Sequence, residues 1–426
     1  MLRNPLLSLA LAVLLTGAVG PASAATPSPE FDQPGSGVRE FVGEVRDALR
    51  SAPELPLEGT KLDSPGALAA NENVQHRIIV FQKGTDRARR MAIMKAAGGT
   101  VTRDLWLINA VAVVSPRTQL AAMEGRLLAY SEVKRIEPDF IQNWLLQEAA
   151  PTEPQPQAVP WGITRVNAPK AWAVTRGARV KVAVVDTGVD YDHADLKVAG
   201  GFNAIDPKAP FMDDHGHGTH VSGTIAGADN DVGVIGVAPD VTLYGVKVLG
   251  GDGSGSFETV IAGIQWCVEN RMDVANFSLG AGQGTEALAD AVKAAKESGL
   301  TIVAAAGNSG GSVGYPAAYP ETIAVAASDS KDKVAYFSSR GPEVAIIAPG
   351  VAIHSSTLGG GYGPMSGTSM ACPHAAGLAA LAVAARGVHG ADAIRQALVG
   401  AATKFPGIPD VQQGAGMVDA LKLVSN

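Results

Sequence analysis

The sequence predicts an α/β protein in which a doubly wound, mostly parallel sheet is preceded by a small α+β domain. Two observations carry this prediction. Short apolar runs alternate with helical patterns through the second half of the chain, and a shorter block before it has a β-α-β-β-α-β order. The 426 residues, 46% hydrophobic and 18% charged, suffice for a large core and a companion domain. The net charge of -7 gives no signature of nucleic-acid binding.

The first 24 residues have the pattern of a signal peptide. Arg3 supplies the positive end, residues 6–19 are apolar, and the small residues 22–24 form a cleavage site. A membrane anchor is the alternative, but the apolar stretch is shorter than the roughly 20 residues that a bilayer span needs. We therefore expect a secreted protein with no stable membrane association. Residues 25–75 are predicted to be a flexible pro-region, in which VREFVGEVRDALRSA could form one amphipathic helix.

Residues 76–146 form the predicted small domain. Its strands are HRIIVFQ, AVAVVS and VKRIEPDF, and its helices are DRARRMAIMKAAGG and RTQLAAMEG. The order of these elements over about 70 residues is typical of a ferredoxin-like fold. This block holds 11 Lys and Arg against 6 Asp and Glu, a net charge of +5.

A proline-rich linker, residues 147–156, leads to the predicted large domain, residues 157–426. Buried parallel strands are predicted at VKVAVVD, TLYGVKVL, MDVANFSL, LTIVAAAG and TIAVAAS. Helical patterns such as FETVIAGIQWCVEN and TEALADAVKAAKESG lie between them. This domain holds 18 basic and 24 acidic residues, a net charge of -6, so opposite charges favour docking of the small domain on it.

Cysteine usage indicates little dependence on disulfides. Cys267 and Cys372 are the chain's two cysteines, and one bridge between them is possible. We expect two buried free thiols instead. Stability must then come from the core and from any bound ion.

Three motifs of the large domain carry the chemistry of a nucleophilic site. Asp186 ends an apolar strand in VVDTGVD, where ligand sites form in open α/β sheets. His217 begins a small-residue helix in HGTHVSGTIAG, and Ser369 precedes another in SGTSMACPHAAG. Asp, His and Ser in this chain order are one known arrangement of a catalytic triad. The helix N-terminus would also stabilise an oxyanion formed beside Ser369.

Asn308, in AAAGNSG, is the candidate for a further oxyanion donor. It follows a strand and a tight glycine turn, so its amide can point into the site. Other groups near Ser369 have structural explanations. We expect Ser366 to bond to the backbone, Thr368 to be a turn residue and Cys372 to face the core.

At these residues the sequence resembles the subtilisin-like serine endopeptidases. The similarity runs from about residue 157 to 426 and includes VPWGI, MDVANFSLG and VAAAGNSG beside the three motifs. The resemblance implies a subtilisin-like fold in which Asp186 orients the imidazole, His217 is the base and Ser369 the nucleophile. It also implies that Asn308 and the Ser369 N–H bind the oxyanion. Residues 76–142 resemble the family's inhibitory propeptide, so we expect a self-processing zymogen whose partners are protein and peptide substrates and its own propeptide.

The resemblance also implies where substrate binds. SLGA (278–281) and AAAGN (304–308) match the walls of the pocket for the side chain before the scissile bond, with Gly314 near its floor. The matched positions carry no acidic residue, so we expect a preference for large apolar or aromatic side chains. Phe257 and Leu279 match an upstream apolar pocket. The substrate backbone should add as a strand beside two segments, 253–255 and 278–280. The predicted substrate-binding residues are Gly253, Gly255, Phe257, Ser278, Leu279, Gly280, Ala306 and Gly314.

A structural calcium site is the predicted cofactor site, because GADNDVGVIGVAP resembles the family's calcium loop. An Asx-rich turn is the alternative. A second, weaker site could use the carbonyls of Ala317, Tyr319 and Thr322, but the preceding loop is shorter than in the best-known members. The predicted all-oxygen ligand set, suited to calcium, consists of Gln157, Asp195, Ala228, Asn230, Val232 and Val234.

Three other functions stay open at this point. His215, His217 and His220 have a spacing that zinc could use. The serine-carboxyl peptidases also carry SGTS, but they place Glu and Asp where this chain has His217 and Asn308. A non-catalytic binding protein could keep the fold, although every catalytic position is intact.

Maturation is predicted to be self-cleavage between Trp144 and Gln147 of a monomeric zymogen. Trp144, Leu145 and Leu146 are the large apolar residues before the linker. Cutting after Trp144 would place Ile141 in the upstream pocket, which slightly favours that bond. Later trimming near Gln157 is the alternative.

Overall fold

The computed structural model describes residues 73–145 and 156–425. The predicted signal peptide, the flexible pro-region up to residue 72 and nearly all of the linker lie outside the described residues. The first described part contains a four-stranded antiparallel sheet in the order β2-β3-β1-β4, with two helices between its strands. The strands and helices are β1 (Val74–Phe81), α1 (Arg87–Ala97), β2 (Thr100–Leu105), β3 (Ala110–Pro116), α2 (Leu120–Leu127) and β4 (Val133–Asp139).

The alternation of β1 gives this small domain two different faces. Ile79 and Phe81 pack with the apolar side chains of α1 and α2 in a core of their own. Ile78 and Val80 point the other way and join the core of the large domain. The sheet is therefore covered by its own helices on one face and by the large domain on the other.

The large domain is built on a nine-stranded sheet in the order β16-β17-β13-β12-β11-β10-β6-β8-β7. All of its pairings are parallel except β16 with β17. The predicted α/β class is confirmed. The strands of this sheet are β6 (Lys181–Asp186), β7 (Val198–Asn203), β8 (Thr242–Lys247), β10 (Val274–Phe277), β11 (Thr301–Ala305), β12 (Ile323–Ser328), β13 (Val344–Pro349), β16 (Ala402–Thr403) and β17 (Met417–Val418).

Two pairs of short strands lie outside the large sheets. A hairpin is formed by β14 (Ile353–Thr357) and β15 (Gly361–Met365). A separate two-stranded ladder joins β5 (Ile141–Asn143) to β9 (Ser254–Ser256). The remaining helices are α3 (Trp161–Arg165), α4 (Ala168–Ala171), α5 (His217–Ala226), α6 (Phe257–Glu269), α7 (Glu286–Glu297), α8 (Thr368–Arg386), α9 (Ala391–Gly400), α10 (Asp410–Gln413) and α11 (Ala420–Ser425).

Strand order reverses at β6, and this reversal positions the site. From β6 the chain builds β8 and β7 on one side, and it builds β10 to β13 on the other. In open parallel sheets, ligands bind at the carboxyl ends of the strands where the order reverses. Asp186 is the last residue of β6.

Helix α8 crosses the centre of the large domain. It packs against β10, β11, β12 and β13 and against helix α5. Within the described residues it is the one helix long and apolar enough to span a membrane, and 83% of that window is buried inside the protein. Its apolar composition is explained by this core position. Cys267 and Cys372 are both buried and unpaired, as predicted.

Candidate active site

Asp186 and His217 form a buried pair at the carboxyl edge of the sheet. The Nδ1–H of His217 donates to Oδ1 of Asp186 at 2.8 Å, and the same oxygen accepts from the backbone nitrogen of Thr187 at 2.8 Å. Asp186 is fully buried and His217 is 3% exposed. A carboxylate held on Nδ1 fixes the tautomer in which Nε2 can accept a proton.

The loop before His217 is held in place by Asp213, which the sequence analysis did not identify as a site residue. Its Oδ1 accepts from the Thr187 hydroxyl and from the backbone nitrogens of His215 and Gly216. Its Oδ2 accepts from the backbone nitrogen and the hydroxyl of Thr219. Asp213 thus satisfies donors at the start of α5, as a capping carboxylate does. A polar residue just before a helix pattern is the sequence signal that could have found it.

Ser369 lies in the first turn of α8. Its hydroxyl donates to the carbonyl of Ser278 at 3.0 Å. Among the described residues no hydrogen bond joins Ser369 to His217, so the structure has the serine turned toward Ser278. The helices that carry the two residues, α5 and α8, pack against each other. Such bonds are often long or misaligned before substrate binds.

The amide of Asn308 is fixed by the residue that precedes Ser369. Its Oδ1 accepts from the backbone nitrogen and from the hydroxyl of Thr368, both at 2.8 Å. With that oxygen engaged, the NH2 group remains as a donor. It lies near Gly367, beside the N-terminus of α8, since a Cβ added to that glycine would stand 3.3 Å from Asn308 Nδ2. Thr368 therefore does more than turn the chain, because it orients the amide.

The other candidate nucleophiles are occupied or buried. The Ser366 hydroxyl accepts from the backbone nitrogen of Ala352 at 2.8 Å, the backbone role expected from the sequence. Cys372 is fully buried, and burial raises the pKa of its thiol, so the reactive thiolate is disfavoured.

The three histidines of the HGHGTH motif do not gather as metal ligands. His220 is fully buried, and its Nε2 lies 2.9 Å from the carbonyl of Ile353 on the β14 strand. Burial lowers the pKa of His220 to about 3. Within the described residues, the one His/Cys/Asp/Glu group close enough to hold a metal ion contains none of these three histidines.

The chain itself lies between the two predicted substrate-binding segments. Strand β5 pairs with β9 in antiparallel register, with Gln142 opposite Gly255. Two residues after Gln142, the Trp144 nitrogen donates to the Gly253 carbonyl at 3.1 Å, and the Gly280 nitrogen donates to the Trp144 carbonyl at 3.3 Å. A peptide added as a strand at a free edge is a common mode of recognition.

Trp144, and not Ile141, lies against Phe257. The two rings meet edge to face with centroids 5.2 Å apart, and the indole Nε1–H donates to the Gly255 carbonyl at 2.9 Å. Trp144 is 3% exposed and Ile141 is 41% exposed. The expectation that Ile141 fills the upstream pocket is therefore wrong. The indole buries more apolar surface there and also satisfies its donor.

The two predicted walls of the main pocket lie next to each other. Ala281, which ends the first wall, exchanges backbone hydrogen bonds with Tyr315 at 2.9 and 2.8 Å. The Gly314 nitrogen donates to the carbonyl of Ala306 in the second wall at 2.9 Å. A Cβ on Gly314 would stand 3.0 Å from the Ala281 carbonyl, so a side chain there would crowd this junction. Ser278 and Leu279 of the first wall are buried.

The predicted calcium loop folds around Asp195. This carboxylate is fully buried, and its Oδ2 accepts from the Val234 nitrogen at 2.9 Å, while its Oδ1 is buried without a hydrogen-bond partner. Burial raises the pKa of Asp195 to about 6. The Gln157 side chain reaches the carbonyl of Ala228 at 2.6 Å. An orphaned carboxylate oxygen beside side-chain amides and backbone carbonyls fits an oxygen-ligated cation such as calcium.

Asn230 and Val232 belong to the same loop. The Asn230 amide donates to the Ala194 carbonyl at 3.1 Å, and its oxygen accepts from the Val232 nitrogen at 3.3 Å. Asp231 and Gly233, on either side of Val232, have left-handed backbone conformations with φ of 71° and 64°. Left-handed residues of this kind let a tight loop turn several of its carbonyls toward one centre.

At the second, weaker cation position the structure has a guanidinium. Arg395 Nη2 donates to the Pro320 carbonyl at 2.9 Å and also to the Thr322 carbonyl. The Thr322 hydroxyl donates to the carbonyls of Ala317 and Tyr319. A positive side chain thus binds an oxygen proposed as a ligand, which argues against a second cation site there.

Comparison with known proteins agrees with this geometry. Residues 177–416 match the model of the subtilase family. Subtilisin E of Bacillus subtilis (strain 168) is 41% identical over 325 residues, which cover 74% of this chain and 81% of that protein. Subtilisin DY of Bacillus licheniformis is 46% identical over 58% of this chain and 93% of its own. Alkaline elastase YaB of Bacillus sp. (strain YaB) is 46% identical over 62% of this chain and 70% of its own. The chain is therefore a member of the subtilase family, a serine endopeptidase with a subtilisin-like fold.

Proposed function

We propose that this enzyme cleaves peptide bonds through an acyl-enzyme formed by Asp186, His217 and Ser369, with Asn308 as an oxyanion donor. The observation that carries the proposal is the buried bond from His217 to Asp186 at the switch point of the sheet. It is supported by Ser369 in the first turn of the helix packed against α5, and by the Asn308 amide held by Thr368.

In the proposed reaction His217 removes the Ser369 proton as the hydroxyl attacks the substrate carbonyl. Asp186 keeps the imidazole oriented and stabilises its charged form. The oxyanion forms next to the Asn308 NH2 and the N-terminus of α8, where the helix dipole favours negative charge. His217 then protonates the leaving amine, and water repeats the sequence to release the acyl group. For the attack, the serine must leave the Ser278 carbonyl and turn to His217.

We also propose a preference for large apolar or aromatic side chains before the scissile bond. Support comes from the small residues of the two walls, Ala281 and Ala306, and from the absence of acidic groups at 278–281 and 304–308. The buried Phe257 and Leu279 support a second apolar pocket upstream. The proposed substrates are proteins and peptides.

Calcium is the proposed structural ion. The Asp195 carboxylate and the Gln157 and Asn230 side chains would hold it, together with the carbonyls of Ala228, Val232 and Val234. Bound there, the ion would supply the positive charge that the buried Asp195 lacks. Its contribution would be to folding and not to the chemical step.

Residues 76–146 are proposed to be an inhibitory propeptide of a secreted, monomeric zymogen. Polar contacts with the peptidase helices support this. Arg103 pairs with Glu258 of α6 at 2.7 Å, and Arg135 pairs with Asp290 of α7 at 2.7 Å. At the start of α7, the Ala287 nitrogen donates to Glu137 at 3.1 Å. Basic groups of the +5 domain thus meet acidic groups of the -6 domain.

The path of the chain after these contacts supports inhibition and self-cleavage. Residues 141–144 run between the Gly253 and Gly280 segments, where substrate is proposed to lie. Because Ile141 is exposed, the reason for favouring the bond after Trp144 is removed. A cut after Trp144 would have placed Ile141, three residues before it, in the upstream pocket. Because Trp144 packs against Phe257 instead, the same spacing favours the bond after Gln147, at the end of the predicted range.

The test of the proposed reaction is to treat the purified protein with a serine-directed fluorophosphonate and measure intact mass. We expect one adduct per chain at Ser369, loss of peptidase activity, and neither adduct nor activity in Ser369→Ala. Ser366→Ala is the matched control and should keep both. An adduct that persists in Ser369→Ala would contradict the proposal.

A further inference from the structure

A histidine and two acids meet where the small domain contacts the peptidase. His76 of β1 lies directly opposite Asp139 of β4 in the antiparallel pair, so both side chains leave the same face of the sheet. By the alternation of β1, His76 shares its face with Ile78 and Val80, which pack into the peptidase core. Glu258, the second residue of α6, supplies the third group.

The three groups are close enough to share one ion. The ligand atoms of His76, Asp139 and Glu258 all lie within 4.8 Å of one another. Zinc holds nitrogen and oxygen ligands at about 2.0–2.2 Å, so small side-chain rotations would let them converge on one centre. Asp139 is 8% and Glu258 9% exposed, so this is not a solvated acidic patch.

Two members of the cluster lack partners: His76 Nε2 has no hydrogen bond, and among the described residues Asp139, unlike Glu258, has no ion pair. The Nε2 of His76 is buried and has no hydrogen-bond partner. Asp139 uses Oδ1 to accept from the Glu258 nitrogen at 3.2 Å, and Glu258 uses Oε1 to accept from Arg103 at 2.7 Å. Burial and the neighbouring Glu258 raise the pKa of Asp139 to about 7. Buried polar groups are normally satisfied, so an orphaned imidazole nitrogen beside two buried acids points to a missing cation.

We propose that His76, Asp139 and Glu258 bind one divalent cation of the zinc class, bridging the small domain and the peptidase. One imidazole nitrogen with two carboxylates suits zinc better than calcium, which takes oxygen ligands. The ion would add positive charge beside the two buried carboxylates, and water would complete the tetrahedral shell. Because two ligands come from the small domain and one from α6, the ion would tighten the docked state.

The tightening of the inhibited state rests on the proposed zymogen, but metal binding does not. The full-length Ser369→Ala protein keeps both domains in one chain whether or not the wild type processes itself. With calcium kept saturating, it should be dialysed against Zn2+ and its metal content measured by mass spectrometry. We expect one zinc per chain more than in the same protein carrying His76→Gln. Zinc should also raise its thermal midpoint by about 3 °C or more at a large excess over the Kd.

Two further variants keep the test decisive. Asp139→Asn retains an acceptor for the Glu258 nitrogen and should also lose one zinc, which guards against misfolding of the His76 variant. His389→Gln changes an exposed histidine outside the cluster and should keep the zinc. Equal zinc content in the Ser369→Ala protein and both cluster variants would overturn the proposal. So would a thermal midpoint of the Ser369→Ala protein that does not respond to zinc.

Discussion

The side-chain oxygen of Asn308 lies 2.8 Å from the hydroxyl of Thr368 and 2.8 Å from its backbone nitrogen. The same hydroxyl accepts from the Gly307 nitrogen at 3.0 Å. Thr368 is thus bound to the loop before Asn308 and to the amide itself, one residue ahead of Ser369. This relationship leaves the NH2 of Asn308 as the group able to meet a developing oxyanion.

Replacing Asn308 with Ala should therefore lower kcat by roughly 10²–10³, about 2.7–4 kcal/mol, with little change in KM. This magnitude is the one known for the oxyanion asparagine of a subtilisin and is not an independent estimate. Thr368→Val should lower kcat by roughly 5- to 10-fold, since it removes the hydroxyl bond that orients the amide, worth about 1 kcal/mol, together with the bond from the Gly307 nitrogen. Steady-state kinetics on a peptide substrate measures both. A rise in KM with unchanged kcat in Asn308→Ala would show that the amide binds substrate and not the transition state.

Removing calcium should lower the thermal midpoint of the mature enzyme. An ion that binds only the folded state stabilises it by mass action, by about 2.7 kcal/mol at 100 times the Kd. Asp195→Asn should remove most of this sensitivity, because the buried carboxylate with the orphaned oxygen is lost. Thermal unfolding of an inhibited enzyme across a range of free calcium gives the answer. A wild-type midpoint that does not move would mean that the loop at 228–234 is only a turn.

Most strands of the large sheet that are short apolar runs were predicted, but β13, with the run VAIIAP, was not. β6, β8, β10, β11 and β12 coincide with such runs, because strands buried on both faces have no polar alternation. β2 was not named in advance, since its sequence TVTRDL (Thr100–Leu105) has only two apolar residues among polar and charged ones. The two-residue strands β16 and β17 carry too little pattern to be recognised, and they exist through pairing at the edge of the sheet.

The site was predictable only where a motif carries it. Asp186, His217, Ser369 and Asn308 stand in such motifs, and the structure brings the first two into contact. Asp213 was missed because its role depends on five donors from separate parts of the chain meeting one carboxylate. The sequence also could not predict that Trp144, and not Ile141, fills the upstream pocket. This depends on the Gly255 carbonyl lying within hydrogen-bond distance of the indole.

Acidification should destabilise the protein partly through His374. This residue of α8 is fully buried, its Nδ1 bonds to the Met370 carbonyl at 2.9 Å, and burial lowers its pKa to about 4. Between about pH 4 and pH 6.5, a histidine whose pKa is lowered in the folded state stays neutral in the folded protein and binds a proton only when the chain unfolds. Its contribution to stability is therefore complete above about pH 6.5 and is lost as the pH falls toward 4.

Denaturant unfolding of the Ser369→Ala protein between pH 8 and pH 4 measures this loss. Relative to that protein, the variant that also carries His374→Gln should show a shallower fall in the free energy of unfolding below pH 6.5. The difference in slope should approach about 1.4 kcal/mol per pH unit. Above pH 7 the two curves should run parallel, which separates titration from any general cost of the substitution. Parallel curves down to pH 4 would contradict the assignment.

Self-processing should first cut the bond after Gln147. The backbone of Trp144 is held from both sides, by the Gly253 carbonyl and the Gly280 nitrogen, and its ring packs against Phe257 in the upstream pocket. Because the residue before the cut lies three positions after the residue in that pocket, N-terminal sequencing of protein processed in the absence of other proteases should begin at Glu148. Trp144→Asp should slow processing at this bond, because a buried, unpaired carboxylate is costly in an apolar pocket. Leu128→Asp, at a 71% exposed position of the small domain, is the matched control and should mature at the normal rate. A first cut anywhere within residues 77–139 would instead mean that the small domain does not dock as an intact unit.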